Sequence, residues 1–192
     1  MMLRVCSKML LIGVSVLALQ AQAATDFYAV AGAQYSRSGE PFDVSGSGYQ
    51  IGSGYVINRD WSVELSAEQL FATKTNTEIG QNRLDSDALT VSVLGKTSLG
   101  DDSLFFYRAG ISTVEHQGYY HFVASKKTLP DGSVKTTISY KEVDDKLTHA
   151  LFGFGLEQNF SAQWFGRAEI VHLFKKNNLQ ADTFRLSLGY RF

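Results

Sequence analysis

The stretch TFRLSLGYRF, residues 183–192, ends the sequence on a strict alternation of bulky apolar and polar or small residues. Side chains of an extended strand point alternately to its two faces. Phe184, Leu186, Leu188, Tyr190 and Phe192 therefore share one face, and Arg185, Ser187, Gly189 and Arg191 the other. An aromatic as the last residue of such a strand is unexpected for a soluble domain, whose ends usually fray.

The same pattern recurs upstream. Eight stretches of strand-like alternation cover 26–37, 48–58, 61–72, 87–98, 103–115, 147–160, 163–175 and 183–192. Each is long enough for a tilted strand to cross a membrane, which takes about 9–11 residues. Their connections alternate in length. Residues 58–60, 99–102 and 161–162 are tight turns, whereas 38–47, 73–86, 116–146 and 176–182 are longer and polar. Short turns on one side and long loops on the other are the signature of an outer-membrane barrel. The predicted fold is all-β: an eight-stranded antiparallel transmembrane up-and-down β-barrel.

Strand alternation sorts the residues into two sets. Trp61, Val63, Leu65 and Phe71 oppose Ser62, Glu64, Ser66 and Glu68. Leu89, Val91 and Val93 oppose Thr90, Ser92 and Lys96, and Phe105, Tyr107, Ala109 and Ile111 oppose Arg108, Gly110 and Ser112. Phe152, Phe154, Leu156 and Phe160 oppose Gly153, Gly155 and Glu157, and Gly166, Ala168 and Ile170 oppose Arg167 and Glu169. A soluble core does not hold so many charges behind so few apolar residues; in a barrel facing lipid they fill the lumen. The expected lumen network is Glu64, Glu68, Lys96, Arg108, Glu157, Arg167, Glu169, Arg185 and Arg191, four acids against five bases. Trp61, Phe105, Phe160, Trp164 and Phe192 are expected in a periplasmic aromatic girdle, and Tyr35, Tyr49, Phe71, Phe174 and Phe184 in an outer one.

Residues 1–23 read as a secretory signal peptide: Arg4 and Lys8, an apolar run from Met9 to Leu19, then Ala21 and Ala23 at a cleavage position. The barrel domain is then 24–192, with no periplasmic domain after it. Cys6, the one cysteine, lies in the leader, so the exported chain has no disulfide and no thiol nucleophile. Cleavage also removes two basic residues, leaving 16 against 19 acidic ones, a balance that excludes a nucleic-acid-binding face.

At GFGLEQNFSAQWFGRAEIVHL, residues 153–173, and LSLGYRF the sequence resembles the OmpA-type eight-stranded barrel domain. The Gly-x-Glu pattern of Gly155 and Glu157, the Arg-x-Glu pattern of Arg167 and Glu169, and the closing aromatic strand carry the resemblance. It implies that Glu64, Glu157 and Arg167 belong to an interior charged network and that Phe192 is a signal for the barrel-assembly machinery. Where the family has an interior lysine on strand four this sequence has Ser92, with Lys96 four residues on. Without a wall-binding domain the chain is not expected to tether the membrane to peptidoglycan.

No catalytic constellation is expected. A lipid A deacylase barrel needs a serine two residues after its histidine, and His172 is followed there by Phe174. His116 and His121, with Glu115, fall short of the three or four convergent ligands of a closed zinc site and read as solvated loop histidines. No metal or cofactor is expected. In 116–146, PDG at 130–132 marks a turn between two alternating runs, which predicts a β-hairpin standing above the membrane. Its edge could pair with a partner strand, or its lysines could touch lipopolysaccharide phosphates. The functional expectation is a monomeric outer-membrane barrel with a structural or surface-interaction role, in contact with outer-membrane lipids and lipopolysaccharide. The alternative is a narrow ion-conducting pore gated by the Glu/Arg/Lys network.

Overall fold

The computed structural model describes residues 26–39, 44–77, 80–128, 133–176 and 179–192; the expected signal peptide lies outside them. Eight strands follow in chain order: β1 (Phe27–Ser38), β2 (Ser45–Val56), β3 (Trp61–Thr77), β4 (Gly80–Ser98), β5 (Ser103–Thr128), β6 (Val134–Asn159), β7 (Trp164–Lys176) and β8 (Leu179–Arg191). Each pairs with the next, all antiparallel, and β8 pairs with β1 to close the barrel. The register at closure runs from Tyr28↔Arg191 to Ser38↔Ala181, and the Phe192 N–H donates to the Phe27 carbonyl at 3.1 Å. The apolar alternation of 183–192 is therefore one side of the seam. In lipid an open edge would leave its backbone groups unsatisfied.

The short turns are built by side chains. Asn58 Oδ1 accepts from the Asp60 and Trp61 amides, both at 2.9 Å. Ser161 Oγ accepts from Gln163 and Trp164 at the β6–β7 turn. Asn and Ser are favoured at such positions because they replace a missing backbone partner.

Strand length divides the barrel. β1, β2, β7 and β8 have 12 or 13 residues, whereas β3 to β6 have 17, 19, 26 and 26. The segment 73–86, expected as a loop from its polarity, is largely strand, and so is 116–146, where a hairpin is expected. Polar residues do not stop antiparallel pairing in water, and the alternation of β5 and β6 continues to Thr128↔Val134. The predicted hairpin is thus a two-stranded ribbon rising from the wall. Its PDG turn lies outside the described residues.

The outward face carries the apolar residues assigned to it: Leu65, Val91, Ile111, Phe154, Leu156, Leu186 and Leu188 are exposed. Both girdles hold their members on the outside except Phe71, which is fully buried. A β-bulge between Gln69 and Phe71 inserts one residue into β3. Because side chains alternate with period two, one extra residue moves all that follows to the other face. Phe71 accordingly points inward and joins Val44, Leu70, Ala88, Val114, Leu151, Val171, Leu173 and Ala181 in a buried apolar cluster. The lumen is therefore two-tiered, charged in its lower part and apolar above.

Candidate functional site

The lower lumen is assembled from β3 to β8, each contributing inward side chains in phase. Arg108 on β5 donates from Nη2 to Glu64 Oε1 at 2.7 Å, from Nε to Glu169 Oε2 at 3.0 Å and from Nη1 to Ser92 Oγ at 2.9 Å. Arg167 on β7 donates to Glu64 Oε2 at 2.6 Å and to Glu157 Oε2 at 2.7 Å. Arg191 reaches Glu157 Oε1 at 2.6 Å, and Lys96 Nζ lies 3.2 Å from Glu157 Oε2. At the upper end Arg185 donates to Glu68 at 2.5 Å and stands 3.7 Å from Glu169. The nine residues singled out from strand alternation thus lie in one connected chain of ion pairs. Six of the eight strands contribute to it.

Burial without partners would be prohibitive for these ions; dense pairing with extra hydrogen bonds offsets the lost hydration. The extra bonds come from Ser92, Ser66 and Tyr28, whose hydroxyl donates to Glu64 at 2.9 Å. The fifth base leaves one uncompensated positive charge. It is accommodated near the periplasmic end, where the Arg191 side chain is a quarter exposed.

Three inward aromatics were missed when the residues were sorted by charge. Tyr28, Phe106 and Phe165 surround the Arg167 guanidinium at 5.0, 5.4 and 4.8 Å from their ring centres. Aromatic faces attract such a cation. Tyr28 and Phe165 lie over Gly54 and Gly189 of the neighbouring strands, where any side chain would collide with the ring. The signal was available: Phe106 is in phase with Arg108 and Phe165 with Arg167, so alternation puts them inside.

The histidines are redistributed. His116 is not a solvated loop residue; it is buried in β5, with Nδ1 2.7 Å from Ser86 Oγ. Its neighbour is His149 of β6, perpendicular at 6.1 Å between ring centres. The outward face of β5 turns polar at Thr113 and Glu115, so His116 lies above the hydrocarbon band. Burial, and then the nearby His149, push its pKa down to about 4. His121 sits higher in the ribbon, and Glu115 faces out beside Lys146. His172 is on the outer wall, 2.6 Å from Asp182. Among the described residues no three His, Cys, Asp or Glu side chains converge as a metal site.

The sequence model of one family of such barrels matches residues 9–192. The chain belongs to the outer membrane protein beta-barrel domain family. It is thereby an outer-membrane barrel protein. Among solved structures it is similar to Neisserial surface protein A, with a TM-score of 0.65 and 14% identity over 89% of this chain and 99% of that one. It is also similar to Ail of Yersinia pestis, in complex with the heparin analogue sucrose octasulfate, with a TM-score of 0.54 and 17% identity over 87% and 98%. The N-terminal barrel domain of Pseudomonas aeruginosa OprF follows at 0.55 and 14%, over 87% and 98%. At these identities the likeness is one of fold. No curated protein sequence matches the chain.

Proposed function

We propose that this barrel is a sealed, non-conducting scaffold that displays the β5–β6 ribbon at the cell surface. The observation that carries the reading is the lumen: a continuous network of buried ion pairs beneath a buried apolar cluster. Eight strands enclose just enough room for side chains, and a hydrated ion would have to break several pairs to pass. Planar-bilayer recording tests it. Silence is expected; steady openings that change in Glu157→Gln or Arg167→Gln would overturn it in favour of a gated pore.

At the surface the ribbon is the reactive part. Lys127 and Lys135 are directly opposite in the register, and Lys141 shares their face of β6. Like charges facing each other across a strand pair repel, and an anion between them relieves the repulsion. The reading is that this face takes a sulfated or phosphorylated glycan, a chemistry shared by Ail's bound sucrose octasulfate and by lipopolysaccharide. Heparin binding to the protein in nanodiscs, with at least a tenfold loss in a Lys127→Glu, Lys135→Glu variant, is expected; unchanged binding sinks it. Phe192, paired beside Phe27 at the seam, is the proposed contact of the barrel-assembly machinery.

A further inference from the structure

Above the ion-paired tier two buried histidines, His116 and His149, stand against each other with ring centres 6.1 Å apart, and nothing in the sealed-scaffold reading uses them. His149 Nδ1 lies 3.1 Å from the Phe174 carbonyl oxygen. A carbonyl only accepts, so Nδ1 carries the proton and the neutral ring's Nε2 carries a lone pair. His116 Nδ1 lies 2.7 Å from Ser86 Oγ, which can accept in the same way. Both Nε2 atoms are buried without a hydrogen-bond partner among the described residues. Each imidazole is 1% exposed.

This is the outer-shell arrangement that prepares a histidine to bind a metal: the far nitrogen donates to a carbonyl or hydroxyl, fixing tautomer and ring, and the near nitrogen is left basic. The spacing agrees. A metal–imidazole bond is about 2.0–2.1 Å, so two of them plus the reach from each ring centre to its nitrogen span about 6 Å when the two bonds lie close to one line, as on opposite sides of a copper ion. The observed ring centres are 6.1 Å apart. We propose that His116 and His149 form a two-imidazole site for a divalent transition-metal cation, water completing the coordination shell. Imidazole suits copper and zinc, and copper binds nitrogen sites most tightly among the first-row divalent ions. The site rests on residues from β4, β5, β6 and β7, so it forms only in the closed barrel. It is independent of the surface-glycan reading, which concerns the lysines higher in the ribbon.

The test uses the folded protein in detergent micelles, free of any histidine tag, titrated with copper(II) chloride and then zinc(II) chloride. One copper per chain is expected. Its paramagnetic resonance spectrum should show coupling to two imidazole nitrogens. His116→Ala and His149→Ala should each weaken binding at least tenfold, and Ser86→Ala, which frees the His116 ring, by about tenfold. His121→Ala and His172→Ala should bind as wild type does. Heat-modifiable migration on a gel shows that each variant is folded. Absence of saturable binding by the wild-type barrel, or coupling to fewer than two nitrogens, overturns the proposal without requiring any variant to fold. Binding unchanged in folded His116→Ala and His149→Ala does so as well. Neither outcome touches the conductance or heparin experiments.

Discussion

In the lower lumen every arginine faces a glutamate; in the ribbon Lys127 faces Lys135. Both regions are built by the same antiparallel alternation. They differ in what stands opposite and in the medium around it. Inside the barrel the ions are buried and an unmatched charge is costly, so the partners converge from six strands and the surplus base is taken up where Arg191 is a quarter exposed. Above the membrane, water screens the lysines and leaves them available to an outside anion. Charge in this protein is structural where it is dry and available where it is wet.

The sharpest way to break that contrast is to remove one dry partner. Arg108→Ala takes one cationic partner each from Glu64 and Glu169, leaving them to Arg167 and Arg185, and should destabilise the barrel by about 3 kcal/mol, read by urea unfolding from lipid vesicles. A loss under about 1 kcal/mol would mean that the network is hydrated after all. Comparable in size is the apolar tier. Phe71→Ala opens a cavity in the upper lumen and should cost about 3 kcal/mol; a residue on the lipid face would lose much less. A spin label at position 71 should likewise be shielded from both lipid and water.

A third test uses protons. His116 stays neutral in the fold down to about pH 4, whereas in the unfolded chain it titrates near 6.5. Below that value the unfolded state binds the proton first, so stability falls as pH drops from about 6.5 to 4 and levels off beneath. With a chelator present the loss should reach about 2–3 kcal/mol and vanish in His116→Gln. A flat profile across that window would show that the imidazole is hydrated. The smallest effect is expected in the wet region. Lys127→Glu turns a like-charge pair into an opposite one and should stabilise the ribbon by about 0.2–1 kcal/mol, visible as slower amide exchange in 120–140 with the barrel's unfolding unchanged. Lowered protection there would place Lys127 in a contact of its own.

Much of the fold was legible because a period of two is a local property. Arg185, Ser187 and Arg191 could be placed inside from 183–192 alone, and Glu64, Arg108 and Glu169 from their own strands. The nine charged residues were found that way, but their pairing was not. Arg167 meets Glu64, 103 positions away, and nothing local in either strand encodes the meeting. Phe106 and Phe165 were in phase with the charges of their own strands and Tyr28 with Gln34 and Ser36 of β1, and all three were passed over because large aromatics were assigned to lipid. The polar run 73–86 of β3 and β4 is expected as a loop because polarity outside a membrane does not distinguish a hydrated strand from a turn, whereas alternation on either side of a turn signal announces the β5–β6 hairpin.

The sequence by itself determined which face of each strand meets lipid, since alternation survives whatever the strand's neighbours are. It also determined how many strands there are, through the alternation of short and long connections. Only the tertiary structure decided the partners of each ion, the inward turn of Phe71 and the meeting of His116 with His149. The first and last depend on the stagger of strands around a closed wall. The second depends on a single bulge, one extra residue that reverses the alternation without leaving a mark in composition.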